Sequence, residues 1–175
     1  MKKKGTGGGH TVTGLRFESR VAMKNLLASL PGYKLVDDEI YFNNKKIAEF
    51  YGKHKLYKNL LEPHSIDYSK IISKKLLPDE AILILAGNTL YIIEIKFQEG
   101  VGSVDEKLQT CDFKNKQYKK LLAPLGISVK YSYILNDWFK KDGYRDVLNY
   151  IKSVGCYYFF EELPLDFLGL PQPTK

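Results

Sequence analysis

Long hydrophobic runs are missing from this chain of 175 residues. No stretch approaches the roughly 18 apolar residues that a membrane-spanning helix needs. The start, Lys2 to Lys4, leads into glycine instead of the apolar core of a secretory signal. A cytoplasmic protein with no membrane partner is therefore expected. Cysteine is scarce too: Cys111 and Cys156 stand far apart, without the close Cys or His pairs of a structural zinc site, and both read as free, buried thiols. His10, His54 and His64 form no compact cluster, which disfavours a nuclease that uses histidine as its base. Acids are outnumbered, 20 against 27 Lys plus Arg, for a net charge of +7, so the field of the surface favours polyanions.

What is present suits one folded domain. Hydrophobic residues make up 44% and charged residues 27%, a balance that excludes global disorder, and the length fits a single core. Residues 1–14 are too glycine-rich for a regular element and read as a flexible basic arm, 15–170 as the domain, and 171–175 as a loose tail.

Leu15, Ala22, Leu26 and Leu30 recur at helical spacing and predict a helix over 15–30, ended by Pro31-Gly32. Asn43-Asn44 predicts a hairpin turn between two short strands. Helical pieces are expected over 56–61 and 68–76, split by Pro63. Two dense apolar runs, 81–85 and 89–97, flank Gly87-Asn88 and give the clearest pair of strands. A polar helix over 104–122, a strand over 127–135, a helix over 144–154 and a strand over 156–160 complete the expectation.

Side chains of a strand alternate faces, so Glu94, Lys96 and Gln98 share one face while Tyr91, Ile93, Ile95 and Phe97 share the other. With Gly87 and Asn88 as a two-residue loop, Asp79 lies opposite Lys96 and diagonal to Glu94, on the same face. A three-residue loop would exchange Asp79 for Glu80. Two converging carboxylates repel unless a cation lies between them, and an all-oxygen site of this type suits Mg²⁺. Such an ion polarises a phosphodiester and acidifies a water, while Lys96 offers charge to the phosphate in the transition state.

Pro78-Asp79 followed by Glu94-Ile95-Lys96 resembles the motif of the PD-(D/E)XK nuclease superfamily, and the predicted order of helix, hairpin, helix and strand matches its core. The stretches GTGGGHTVTGLRFE and EIKFQEGVGSVDEKLQT resemble segments of type II restriction endonucleases. The resemblance implies an α/β fold with a mixed central β-sheet flanked by α-helices, a restriction-endonuclease-like core. It also implies Mg²⁺-dependent cleavage of double-stranded DNA to 5′-phosphate and 3′-hydroxyl ends, with Asp79, Glu94 and Lys96 catalytic and Asp79 and Glu94 on the metal. Many members add a glutamate from the first helix, a position that Glu18 matches.

On the polar helix, Lys107, Gln109, Lys114 and Lys116 suit phosphate and base-edge contacts, and Ser103 in the preceding glycine loop offers an amide to phosphate. Gln98 is a possible further contact and Glu80 a possible replacement for Asp79. Cutting both strands of a twofold target is most simply done by a homodimer. Two other classes fit the same residues: a structure-selective repair or recombination nuclease, and a non-catalytic nucleic-acid-binding module.

Overall fold

The strand that carries Glu94 is apolar on both faces, with Leu90 and Ile92 on one and Tyr91, Ile93 and Ile95 on the other. It can be stable only if both faces are covered. In a computed structural model of the chain, which describes residues 14–17, 22–100 and 104–174, both are. Nine strands are described: β1 (Gly14–Arg16), β2 (Tyr33–Val36), β3 (Glu39–Phe42), β4 (Lys45–Phe50), β5 (Glu80–Ile84), β6 (Thr89–Lys96), β7 (Ser128–Leu135), β8 (Tyr157–Phe160) and β9 (Glu162–Pro164). The α-helices are α1 (Met23–Ala28), α2 (Val104–Leu108), α3 (Cys111–Leu122), α4 (Arg145–Ser153) and α5 (Leu165–Leu168).

Seven strands form one mixed sheet in the order β2-β3-β4-β5-β6-β7-β8. The ladder is antiparallel from β2 to β6 and parallel through β6, β7 and β8. Parallel neighbours need long crossovers, and α2 with α3, then α4, occupy them. One face packs Leu90, Ile92, Tyr131 and Tyr133 against Tyr118, Leu121 and Leu122 of α3 and Ile151 of α4. The other packs Ile82, Tyr91, Ile93 and Ile95 against Met23 and Leu27 of α1 and Leu163, Leu165 and Leu168 near the C-terminus. This is the α/β architecture expected, a mixed sheet with helices on both sides.

The hairpin at Asn43-Asn44 is present, with both residues in the left-handed region at φ 49° and 63°, as a tight turn between twisted strands requires. Cys111 and Cys156 are free and buried.

Several boundaries differ from the sequence expectation. The helix over 15–30 shrinks to Met23–Ala28, because Leu15 pairs with Leu163 in a two-stranded antiparallel ribbon. Its period is two there: Leu15 and Phe17 are buried and Arg16 is exposed. The helix over 68–76 reduces to a 3₁₀ turn at Tyr68–Lys70, where the Asp67 carboxylate accepts from the Ser69 amide and hydroxyl and stops propagation. The helix over 104–122 breaks at Gln109-Thr110, where the Thr110 hydroxyl bonds to the Lys107 carbonyl at 2.7 Å. The tail expected to be loose is tied down, with the Tyr33 hydroxyl donating to the Pro171 carbonyl and the Thr174 amide to Pro31.

The C-terminal ribbon closes the second core, so truncating it there has a measurable cost. Leu163→Ala is expected to lower unfolding free energy by about 2–5 kcal/mol with an unchanged urea m-value. A loss under about 1 kcal/mol in urea denaturation would show that β9 lies outside the cooperative core.

Candidate active site

Strand β5 ends its ladder at Glu80, which pairs with Ile93. The connecting loop is Leu85 to Asn88, because Ile84 pairs with Thr89, and so the register is two residues away from the one a two-residue loop implies. The cause is local. Asn88 is drawn toward the next crossover by its side-chain amide on the Gly126 carbonyl, 3.0 Å, and by its own carbonyl, which accepts from the Ser128 amide. A slip of two preserves faces. One step beyond the ladder Asp79 therefore stands opposite Glu94 and diagonal to Lys96, the reverse of the expected pairing, with all three on the α3 face.

The three side chains converge. The Lys96 Nζ donates to Asp79 Oδ2 at 2.9 Å and to Glu94 Oε2 at 2.8 Å, and lies 3.4 Å from the Ile95 carbonyl oxygen. Asp79 Oδ2 also accepts the Ile95 amide at 3.2 Å, so the carboxylate extends the ladder that its own backbone has left. From α3, Lys114 places its Nζ 3.4 Å from the same Glu94 oxygen. Two carboxylates and two ammonium groups make the cluster electrically balanced, which is what a buried charged group requires. The Glu94 side chain is 6% exposed, Lys96 17% and Asp79 46%, so the cluster runs from the core to the surface.

Burial alone would push the Lys96 ammonium below its ordinary value, but the charges and hydrogen bonds of Glu94 and Asp79 outweigh it and hold the group above 10.5. Around Glu94 the hydroxyls of Tyr118 and Tyr131 are pushed far up, first by burial and then by the nearby carboxylate. Both tyrosines stay neutral.

A cleft of about 620 Å³ opens at Asp79 and Lys96. Lys24, Lys53, Lys55 and Lys107 line it as well. Glu80 belongs to the same cleft but is turned to the opposite face of the sheet, where its Oε1 accepts the Met23 amide at 3.1 Å at the start of α1. Burial, followed by the Asp79 charge, raises its carboxyl above the usual value. Asp79, not Glu80, reaches Lys96.

The other expected residues separate. Lys107 lines the cleft, whereas Gln109 lines a shallower depression of about 360 Å³ with Val147 and Tyr150. Lys114 serves Glu94 instead of projecting outward. Its position follows from the buried stripe of Cys111, Asn115, Tyr118 and Leu122 on α3: Lys114 is one turn before Tyr118, at the border of that stripe. Lys116 is paired with Asp112 at 2.7 Å and is 67% exposed. Gln98 is buried: its backbone amide donates to Asn136 Oδ1 at 3.2 Å, its backbone carbonyl accepts from Asn136 Nδ2 at 2.8 Å, and its side-chain Nε2 donates to the Gly100 carbonyl. Glu18 and Ser103 lie outside the described residues.

The oxygens around Lys96 define what the site can hold. Asp79, Glu94 and the Ile95 carbonyl all face one cationic atom, a hard, all-oxygen donor set that fits a partly hydrated Mg²⁺. Among the described residues no group of three or more His, Cys, Asp or Glu is placed to hold a metal.

Comparison with protein families, with curated proteins and with solved structures finds no match to this chain. Among the described residues no helix is long and apolar enough to cross a membrane.

The Lys96 contacts carry a pH signature. Because the folded-state value lies above 10.5, the ammonium contributes its full stabilisation below that pH and loses it as pH rises through the folded value. Removing it by Lys96→Met is expected to cost on the order of 3 kcal/mol at neutral pH, with the gap to wild type narrowing above pH 10.5. A gap in urea unfolding that is flat or widens with pH would contradict this.

Proposed function

We propose that this chain is a Mg²⁺-dependent endonuclease of the PD-(D/E)XK kind, a type II restriction enzyme that hydrolyses phosphodiester bonds of double-stranded DNA at a specific sequence. The observation that carries the reading is the convergence of Asp79, Glu94 and the Ile95 carbonyl on one cation position at the floor of a lysine-lined cleft.

Asp79 and Glu94 would hold Mg²⁺, which when bound supplies Lewis-acid polarisation of the phosphate and a more acidic water. The chain does the rest. Asp79, exposed at the mouth, meets the phosphodiester. Glu94, braced by Lys114, forms the fixed wall of the site, and a wall whose position does not shift during reaction costs no reorganisation. Lys96 is long enough to swing from between the carboxylates toward the substrate, where its ammonium offsets negative charge gathering on the phosphoryl oxygens. Water adds to phosphorus, the bond to the 3′ oxygen breaks, and that oxygen takes a proton as it leaves, which gives a 5′-phosphate and a 3′-hydroxyl. Two such sites, one per protomer of a homodimer, address the two strands of a twofold-symmetric target.

Digestion of a sequenced plasmid with Mg²⁺ tests the proposal. Discrete, sequence-dependent fragments with 5′-phosphate ends are expected from wild type and none from Glu94→Ala or Lys96→Ala variants that remain folded by circular dichroism. Equal cleavage by all three, or none by wild type, would reject the mechanism, and cleavage confined to branched DNA would place the chemistry in repair or recombination.

A further inference from the structure

The wall of the cleft facing Lys96 is built by the segment between β4 and β5, which leaves the sheet at Gly52 and returns to it at Pro78. Its two ends are stitched together beside the site: the Lys53 amide donates to the Pro78 carbonyl at 3.0 Å, directly before Asp79. Gly52 is close enough to Asp79 that an added Cβ would stand 3.3 Å from the Asp79 carbonyl oxygen.

Lys53 is held at φ 53°. Left-handed backbone is unfavourable for an ordinary residue, and lysine lacks the short polar side chain that lets Asn or Asp offset it. A glycine would adopt this conformation without that cost, so the chain carries a long cationic side chain where the backbone favours none. Strain of this type gathers at functional positions. Lys53 is exposed, lines the cleft and makes no ion pair among the described residues.

Beside it, Lys24 and Lys55 share a single carboxylate, Asp38, the first at 3.4 Å. Lys24 and Lys53 also act on the Glu80 carboxylate across the cleft, so three ammonium groups face two acids and leave one surplus positive charge. The cations expected on α3 do not compete for this role, because Lys114 is committed to Glu94 and Lys116 to Asp112.

We propose that Lys53, flanked by Lys24 and Lys55, anchors the DNA backbone phosphate next to the one being cleaved. This rests on the nuclease reading, and it adds a phosphate contact from the segment before β5 to the Lys107 side chain that α2 supplies to the same cleft. The pairing is one of point charges with phosphate, so it positions the duplex without reading its sequence.

Binding measured by anisotropy of a short fluorescent DNA duplex, in EDTA and across a range of NaCl, tests the anchor separately from cleavage. Lys53→Gly is expected to keep or raise the melting temperature while the slope of log affinity against log salt falls by about 0.9, one phosphate contact. Lys24→Ala combined with Lys55→Ala lowers it further, and Lys45→Ala, at the far end of β4, leaves it unchanged. A Lys53→Gly slope equal to that of wild type overturns the anchor even if Mg²⁺-dependent cleavage is intact. A lowered slope in a protein that never cuts a plasmid keeps Lys53 as a contact to backbone phosphate but removes the nuclease reading and the neighbouring scissile position, and wild type without affinity for DNA at low salt removes both.

Discussion

One ammonium group, that of Lys96, holds together the end of the β5–β6 hairpin. It bridges two carboxylates that would otherwise repel across a few ångströms, and it does so at the border between core and solvent, where charge is costly. Glu94 can lie almost wholly buried because Lys96 approaches from one side and Lys114 from the other. The placement of α3 follows from the same demand. Its apolar stripe seals the sheet with Tyr118, Leu121 and Leu122, and a lysine at the edge of the stripe completes the charge balance. Without the pair of lysines the Glu94 carboxylate would be buried and uncompensated.

That arrangement also explains how a structural ion cluster becomes a candidate catalytic one. In the proposed enzyme, Asp79 and Glu94 would hold a small divalent cation among the oxygens that the ammonium now faces. Such a cation would release Lys96 toward the cleft, where its charge is useful to a phosphate. The balanced charge of the cluster leaves room for one added cation and one added anion to arrive together. Glu80 has the opposite environment, with its carboxylate spent on the start of α1. Two adjacent acids thereby acquire different roles from the alternation of a strand.

The parts of this picture legible in the sequence are those governed by period and parity. Alternation along 89–97 puts Glu94 and Lys96 on one face, and even a register shift of two leaves Asp79 with them, because parity is insensitive to even slips. The hairpin at Asn43-Asn44 and the strand through Tyr131 and Tyr133 follow from turn chemistry and from alternation. Illegible were the features set by distant partners. Leu15 fits a helical stripe as well as a strand, and only Leu163, far away in the chain, decides for the strand. The pairing of Lys114 with Glu94 depends on how α3 lies across the sheet, which no local pattern encodes. The basic wall at Lys53 was hidden for a similar reason: a left-handed lysine has no composition signal, and it acquires meaning only beside Asp79.

In the proposed enzyme, Lys96 occupies a cation site that a divalent metal shares. Titration of Mn²⁺ into the DNA-free protein, followed by electron paramagnetic resonance of the unbound ion, tests it directly. One site per chain is expected, tightened in Lys96→Met, where the competing ammonium is gone, and lost in Glu94→Gln. Binding that is absent from all three proteins, or that is indifferent to Glu94, would contradict it.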